Sequence, residues 1–201
     1  MVKIHAGATL TPGFREFLAP WVARQPWYQG TGVPVLAPVG FFRFEDPAGE
    51  VGVETHLVSD GAVLYQVPMT YRGAPLVEAG PGALVATAEH SVLGTRWIYD
   101  GEADPVWREC VLDMVRTGGV SESSNRKGVG PALARGEWLA SGPLANEVRV
   151  ELVRVPKPGT PDSGPDTVGL VTGIWYPDGP DTSAISGCLT LVKAVIQGPA
   201  T

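Results

Sequence analysis

The amino-acid sequence predicts an α+β fold in which antiparallel strands outnumber helices. Two stretches, one near the start of the chain and one in its middle, space their apolar residues as amphipathic helices do. The other apolar runs are short and separated by turn-forming clusters, and the 26 glycines and 19 prolines exceed average use. With 201 residues, the chain is long enough to bury a core of its own.

The first helix is predicted to begin at Thr11-Pro12, because threonine can cap free amides and proline is tolerated in a first turn. Apolar residues then recur at helical spacing, at Phe14, Phe17, Leu18, Trp21 and Val22. The helix is expected to be short and to end before Pro26.

Consecutive antiparallel strands follow, predicted over residues 39–44, 52–58 and 63–71. Asp60-Gly61 lies between two β-rich runs and indicates a hairpin. Pro68 has no N–H to donate to a strand ladder, so it indicates a sheet edge or a bulge. One or two further strands are expected within residues 84–99.

The clearest helix signal begins at Asp104-Pro105 and ends at Gly118-Gly119. Its apolar face consists of Val106, Trp107, Cys110, Val111, Met114 and Val115. Residues 118–136 then lack periodicity and predict a long loop. Strands at 147–155, 168–176 and 187–196 suggest an antiparallel meander, so we expect two domains, residues 1–118 and 119–201.

Composition excludes several classes of function. A formal net charge of −6 and only 15 basic residues, which are scattered, argue against nucleic-acid binding. The start of the chain lacks the apolar core of a signal peptide, and no run approaches the roughly 18 apolar residues of a membrane span. A cytoplasmic location without membrane contact is therefore expected.

Neither a metal site nor a disulfide is expected. Cys110 and Cys188 are far apart, lie in apolar contexts and are predicted to be buried thiols. His5, His56 and His90 lie on separate elements without the spacing of metal ligands.

Three segments carry a family resemblance. Trp27-Tyr28 within residues 25–30, Tyr65-Gln66-Val67-Pro68 within 64–72, and residues 89–100 occur in the order found in the N-terminal cap domain of actinobacterial maltokinases, followed by the Asp-Pro helix. The resemblance is most specific over about residues 20–118. It implies a cystatin-like fold, in which a long antiparallel sheet wraps around a helix. Residues 119–201 resemble the intermediate β subdomain of these kinases more loosely.

The resemblance implies no kinase activity for this chain. Where these kinases carry the lysine that pairs with ATP, the strand at 148–155 carries Arg149 and Arg154. The sequence also stops before the catalytic and metal-holding residues that phosphoryl transfer needs. We therefore expect no catalytic residues, no cofactor and no bound metal.

Two candidate sites emerge. The maltokinase family carries a Ser/Asn-containing loop over the nucleotide phosphates, and backbone amides, hydroxyls and two cations could cradle an anion here too, at Ser121, Ser123, Ser124, Asn125, Arg126 and Lys127. The order of residues differs from that of a P-loop, and a solvated loop is the alternative. The second candidate is a surface for a protein partner formed by Trp138, Trp175 and Tyr176, if the small second sheet leaves them exposed.

Three functional hypotheses follow. The first is a non-catalytic cap-like protein that binds a partner, either an enzyme of maltose, trehalose or glycogen metabolism or a separate kinase lobe. The second is a small-molecule (sugar or anion) binding protein, or an unrecognised enzyme, with its site in a groove between the two modules. The third is the N-terminal half of a split sugar kinase.

Overall fold

The computed structural model describes residues 7–123, 131–141, 147–161, 163–179 and 181–195. These residues form an α+β structure with two antiparallel sheets and two α-helices, which confirms the predicted fold class. The elements up to the middle of the chain are β1 (Leu10–Thr11), α1 (Phe14–Val22), β2 (Ala37–Phe44), β3 (Gly52–Ser59), β4 (Leu64–Arg72), β5 (Leu84–His90) and β6 (Gly94–Asp100). They are followed by a 3₁₀ turn (Gly101–Ala103), α2 (Pro105–Thr117), β7 (Glu122–Ser123), β8 (Leu133–Trp138), β9 (Val148–Leu152), β10 (Thr167–Trp175) and β11 (Ile185–Ala194).

The large sheet has the strand order β1-β5-β6-β4-β3-β2-β7 and is covered on both faces. Strand β4 contributes side chains to both faces, because successive side chains of a strand point to opposite faces of the sheet. Tyr65, Val67 and Met69 pack with α1, whereas Leu64 and Thr70 face α2. The small sheet also packs against α2. The result is a layered structure with α1 outside, the large sheet in the middle, and α2 with the small sheet on the other side.

Helix α1 is short, as predicted, but begins later than the sequence suggested. Its N-cap is Gly13, and the Glu16 side chain reaches back to accept a hydrogen bond from the Gly13 amide at 2.7 Å. Four of the five residues of the predicted apolar face are buried, namely Phe17, Leu18, Trp21 and Val22, and Phe14 is half-buried. Their spacing places them against the large sheet.

Helix α2 begins and ends where the sequence predicted. The Asp104 side chain accepts a hydrogen bond from the Val106 amide at 2.9 Å, and Pro105 occupies the first turn. Gly118 ends the helix in the left-handed conformation with φ of 65°. The helix therefore carries strong capping signals at both ends.

The small sheet differs from the predicted meander. Its order is β8-β10-β11-β9, so β9 pairs with β11 and not with the strand that follows it. Strand β8 lies partly inside residues 118–136, which were predicted to be a loop. The inward-facing residues of this segment are Ala132, Ala134 and Gly136, which are too small to produce an apolar alternation. A methyl group on Gly136 would collide with the Met114 carbonyl oxygen, so the close approach of β8 to α2 requires these small residues.

One continuous core extends across residue 118. It joins Phe42 and Val53 of the large sheet, Trp107 of α2, and Val171 and Leu189 of the small sheet. The division of the chain at residue 118 into two domains stays a prediction. In the described ranges, no helix combines the length and apolar character needed to span a membrane.

Candidate functional site

An open groove of about 600 Å³ lies where the C-terminal end of α2 meets β8, an edge strand of the small sheet. Its lining residues are Arg116, Thr117, Gly118, Arg135, Gly136, Glu137, Trp138 and Thr172. Pockets for small molecules commonly measure about 300–1,000 Å³. The groove, defined by these eight residues, is therefore large enough for a ligand.

Backbone hydrogen bonds hold the segment that leaves α2 against β8, beside the groove. The Gly119 amide donates to the Met114 carbonyl at 2.9 Å, and the Gly136 amide donates to the Gly119 carbonyl at 3.0 Å. Ser121 and Ala134 are then joined in both directions, since the Ser121 amide donates to the Ala134 carbonyl and the Ala134 amide donates to Ser121 Oγ. The chain leaving α2 is thus held against β8.

The groove carries unpaired positive charge. Arg116 and Arg135 are exposed, and neither forms an ion pair within the part of the chain that the structure describes. Glu137 adds a carboxylate, so two arginines and one glutamate leave a single net positive charge in the lining. Trp138 is half-buried and packs against the core around α2. The lining therefore combines cations with an aromatic surface.

The predicted anion-binding loop is only partly described. The Ser121 hydroxyl accepts the Ala134 amide hydrogen bond at 2.8 Å, so it helps to fix the loop. The Ser123 backbone pairs with Phe42 in the large sheet. Ser124, Asn125, Arg126 and Lys127 lie outside the described residues. Anion binding by this loop stays a prediction.

The three residues of the predicted partner surface have different environments. Trp175 is 2% exposed and belongs to the core between α2 and the small sheet, so it is not available to a partner in this structure. Trp138 and Tyr176 are half-buried. Trp138 lines the groove and lies opposite Gly169 near the start of β10, whereas Tyr176 follows the last residue of that strand, so the structure does not bring the two side chains together.

A second polar cluster lies where the chain crosses from the small sheet to the large one. Strand β6 pairs with β4 only from Met69 to Arg72, so the β4 backbone at Gln66 has no β6 partner. The Gln66 amide instead donates to the Arg154 carbonyl at 2.8 Å. Pro68 comes two residues after Gln66, so its backbone nitrogen points towards the same edge of β4 as the Gln66 amide. The expected sheet edge at Pro68 is therefore present, and Arg154 occupies this notch.

The Arg154 side chain is held by the large sheet. Its Nη2 donates to Asp100 Oδ2 at 2.5 Å and to Glu102 Oε2 at 2.7 Å. The guanidinium carbon also lies 4.9 Å from the centre of the Trp27 ring, within the range of a cation–π contact. Burial raises the pKa of Asp100, and the Arg154 charge offsets only part of this effect. The cluster thus fastens residues from both halves of the chain.

Several polar atoms near this cluster are buried and have no hydrogen-bond partner among the described residues. They are Nε and Nη1 of Arg154, Oε1 of Gln66 and Nε1 of Trp107. A buried group left unsatisfied costs about 1–3 kcal/mol. The attachment of Arg154 is therefore achieved against an appreciable desolvation penalty.

Comparison with known families finds a match within the first half of the chain. Residues 21–104 match the family model of the maltokinase N-terminal cap domain. This match supports the family resemblance of this segment, and it covers less than half of the chain. No curated protein matches the sequence. The cap domain includes Trp27, Gln66 and Asp100, which surround Arg154, whereas the groove lies beyond the matched residues.

The histidines and cysteines in and beyond the cap domain have structural surroundings. His56 lies between the rings of Phe14 and Phe41, and its Nε2 is 3.2 Å from Glu54. His90 Nδ1 accepts hydrogen bonds from the turn that follows it. The two cysteines are free and buried, as predicted. Among the described residues, no group of three or more histidine, cysteine, aspartate and glutamate side chains is arranged to hold a metal. His5 lies outside the described residues.

Sequence reasoning missed Arg116, Arg135 and Glu137 as groove residues. Arg135 and Glu137 alternate with small residues, which is the pattern of a strand with one exposed face. That signal was available, but the surrounding glycine-rich composition favoured a loop. Arg116 was placed on α2, yet only the fold brings the end of this helix beside β8.

Proposed function

We propose that the protein is a non-catalytic cap-like binding protein of the cytoplasm. In this proposal it acts as an accessory or regulatory partner of an enzyme in maltose, trehalose or glycogen metabolism. The observation that carries the proposal is the match of residues 21–104 to the maltokinase N-terminal cap domain. A separate kinase lobe is the other partner that this family resemblance favours.

The groove supports a binding role. Arg116 and Arg135 are exposed beside the half-buried Trp138, and arginine and tryptophan are enriched among the residues that dominate protein interfaces. Backbone hydrogen bonds hold α2 and β8 together beside these side chains, which reduces the entropy lost on binding. An acidic segment of a partner enzyme would complement the two arginines.

The test uses the full chain and purified maltokinase from the same organism. We expect a stable complex by size-exclusion chromatography with light scattering, together with a change in maltokinase activity. An unrelated sugar kinase serves as the negative control. If no complex forms with maltokinase, or with the other enzymes of maltose, trehalose and glycogen metabolism, at about 50 µM protein, the proposal is wrong.

The volume of the groove favours a second candidate function, a small-molecule binding protein for a sugar or an anion. A ligand that binds only the folded state raises its apparent stability in proportion to the logarithm of ligand concentration. A thermal-shift series with maltose, trehalose, glucose 1-phosphate and ATP with magnesium therefore separates this candidate from the first. A concentration-dependent shift without any protein complex would select the second candidate.

A further inference from the structure

We infer that the groove between the end of α2 and β8 binds a small organic anion, a ring compound that carries a phosphate or carboxylate group. This inference rests on the second candidate function, the small-molecule binding protein, and assigns the groove to a small anion instead of an acidic segment of a partner. It rests on the charge, the aromatic surface and the backbone of the groove.

The anion is indicated by the two arginines. Guanidinium groups bind carboxylates and phosphates through paired, charge-assisted hydrogen bonds. Arg116 and Arg135 reach the groove from different elements, and neither forms an ion pair within the described ranges. The chain as a whole has a net charge of −6, which disfavours long polyanions. A small anion can interact with the local positive charge, and the overall negative charge repels it less than it repels a long polyanion.

The ring is indicated by Trp138 and by the glycines. Trp138 is half-buried and lines the groove, and an indole is a side chain against which a ring can pack. Gly118 and Gly136 contribute no side chains, which leaves their backbone open to close approach by a ligand. Thr172 adds a hydroxyl for a further polar contact.

The C-terminal end of α2 does not prevent anion binding. A helix C-terminus carries partial negative charge on its free carbonyls. Here one of these carbonyls, that of Met114, accepts a hydrogen bond from the Gly119 amide at 2.9 Å. Arg116 lies in the same last turn and opposes the remaining charge. The positive side chains therefore dominate the groove.

The test follows amide chemical shifts of the full ¹⁵N-labelled chain during titration with phenyl phosphate, benzoate and inorganic phosphate. The first two probes distinguish phosphate from carboxylate as the anionic group, and the third removes the ring. We expect saturable shifts at β8 and the last turn of α2, with a dissociation constant between about 10 µM and 1 mM for a ring-bearing probe. Inorganic phosphate is expected to bind at least about tenfold more weakly than phenyl phosphate.

Charge variants assign the site. Arg116→Gln and Arg135→Gln should each weaken binding at least about tenfold, the effect of losing a charged hydrogen bond. Glu137→Gln should strengthen binding, because it removes the carboxylate in the lining. Arg15→Gln is the matched control, since Arg15 is an exposed arginine on α1, on the other side of the large sheet, and its loss should change affinity less than about twofold.

Two results would overturn the inference. The first is the absence of saturable binding below about 10 mM for every probe, with all variants folded by the same spectra. The second is equal weakening by Arg15→Gln and Arg135→Gln, which indicates non-specific charge attraction. Neither result bears on the protein-partner proposal, which is judged by complex formation with maltokinase.

Discussion

The Arg154 guanidinium lies 2.5 Å from the Asp100 carboxylate, although Asp100 ends a strand of the large sheet and Arg154 follows a strand of the small one. Both side chains are largely buried, with 9% and 12% of their surface exposed. Breaking a buried pair by removing one partner is costly because the other charge remains in a poorly solvated place. The pair is therefore expected to be central to the stability of the fold.

Replacing Arg154 by methionine should lower the free energy of unfolding by about 3–5 kcal/mol, because Asp100 loses its counter-charge. Urea denaturation at neutral pH measures the change. Arg149→Met is the control, since the Arg149 side chain is 62% exposed and pairs with Glu151 at the surface, where such pairs contribute about 0–1 kcal/mol. Equal effects of the two substitutions would contradict the central role of Arg154.

The double variant Asp100→Asn/Arg154→Met should be less destabilised than the sum of its two single variants. Removing both charges leaves neither of them without its partner, so the two effects should be coupled. A double-mutant cycle in urea gives the coupling directly. Additive effects would mean that the two side chains do not stabilise each other.

Asp100 and Asp104 should make opposite contributions to the pH dependence of stability. Burial raises the pKa of Asp100, so the folded state holds its proton more tightly than the unfolded state does. The stability contributed by Asp100 is then greatest below pH 3.8 and falls as pH rises through its folded-state pKa. Burial also acts to raise the pKa of Asp104, but hydrogen bonds from Arg72, Thr70 and Val106 outweigh it and lower the pKa overall.

The stability contributed by Asp104 is consequently present above pH 3.8 and lost as pH falls through its lowered pKa. The measurement compares the unfolding free energy of the natural protein with that of Asp100→Asn and Asp104→Asn across acidic pH. The difference between the natural protein and Asp100→Asn should shrink with rising pH, whereas that for Asp104→Asn should grow. Slopes of the same sign would refute the assignment.

Replacing Gly136 by alanine should destabilise the protein by about 1–3 kcal/mol, because the new methyl group meets the backbone carbonyl of Met114. Gly80→Ala is the matched control, since nothing lies within 4 Å of its would-be methyl group. The control should leave the melting temperature nearly unchanged. A tolerated Gly136→Ala would show that β8 lies farther from α2 than the structure indicates.

The two cysteines should resist thiol reagents in the folded protein. Burial, reinforced by nearby carboxylates, raises the pKa of Cys110 to about 12, and burial also raises the pKa of Cys188. At about pH 8 neither thiol is ionised, and the thiolate is the reactive form. Titration with a chromogenic disulfide reagent should therefore detect no fast-reacting thiol until denaturant is added.

The local features of the fold could be predicted from the sequence, whereas the contacts that join distant segments could not. The bounds of helix α2 were predicted closely because the residues that begin and end it, Asp104, Pro105 and Gly118, lie at its own termini. Strand β8 was missed because Ala134 and Gly136 fit against α2 by being small, and small residues leave no apolar pattern. The difference lies in whether a signal is contained within one element or depends on its neighbour.

The two polar clusters illustrate the same limit. Arg154 and Asp100 are 54 residues apart, so only the fold brings them together. The sequence shows Arg149 and Arg154 in a predicted strand where the related kinases carry a lysine, yet it does not identify the partner of either arginine. Arg116 and Arg135 form a groove only because β8 runs beside the end of α2. Charged residues of this kind are ordinary surface residues until the topology is known.

The notch between β4 and β6 has a consequence for dissecting this protein. A fragment that stops after α2 would keep the matched cap segment but lose Arg154, leaving Gln66 at an open strand edge and Asp100 without its cation. Open strand edges pair readily with other chains. Such a truncated cap should self-associate when expressed alone, and adding the segment that carries Arg154 should restore a monodisperse species.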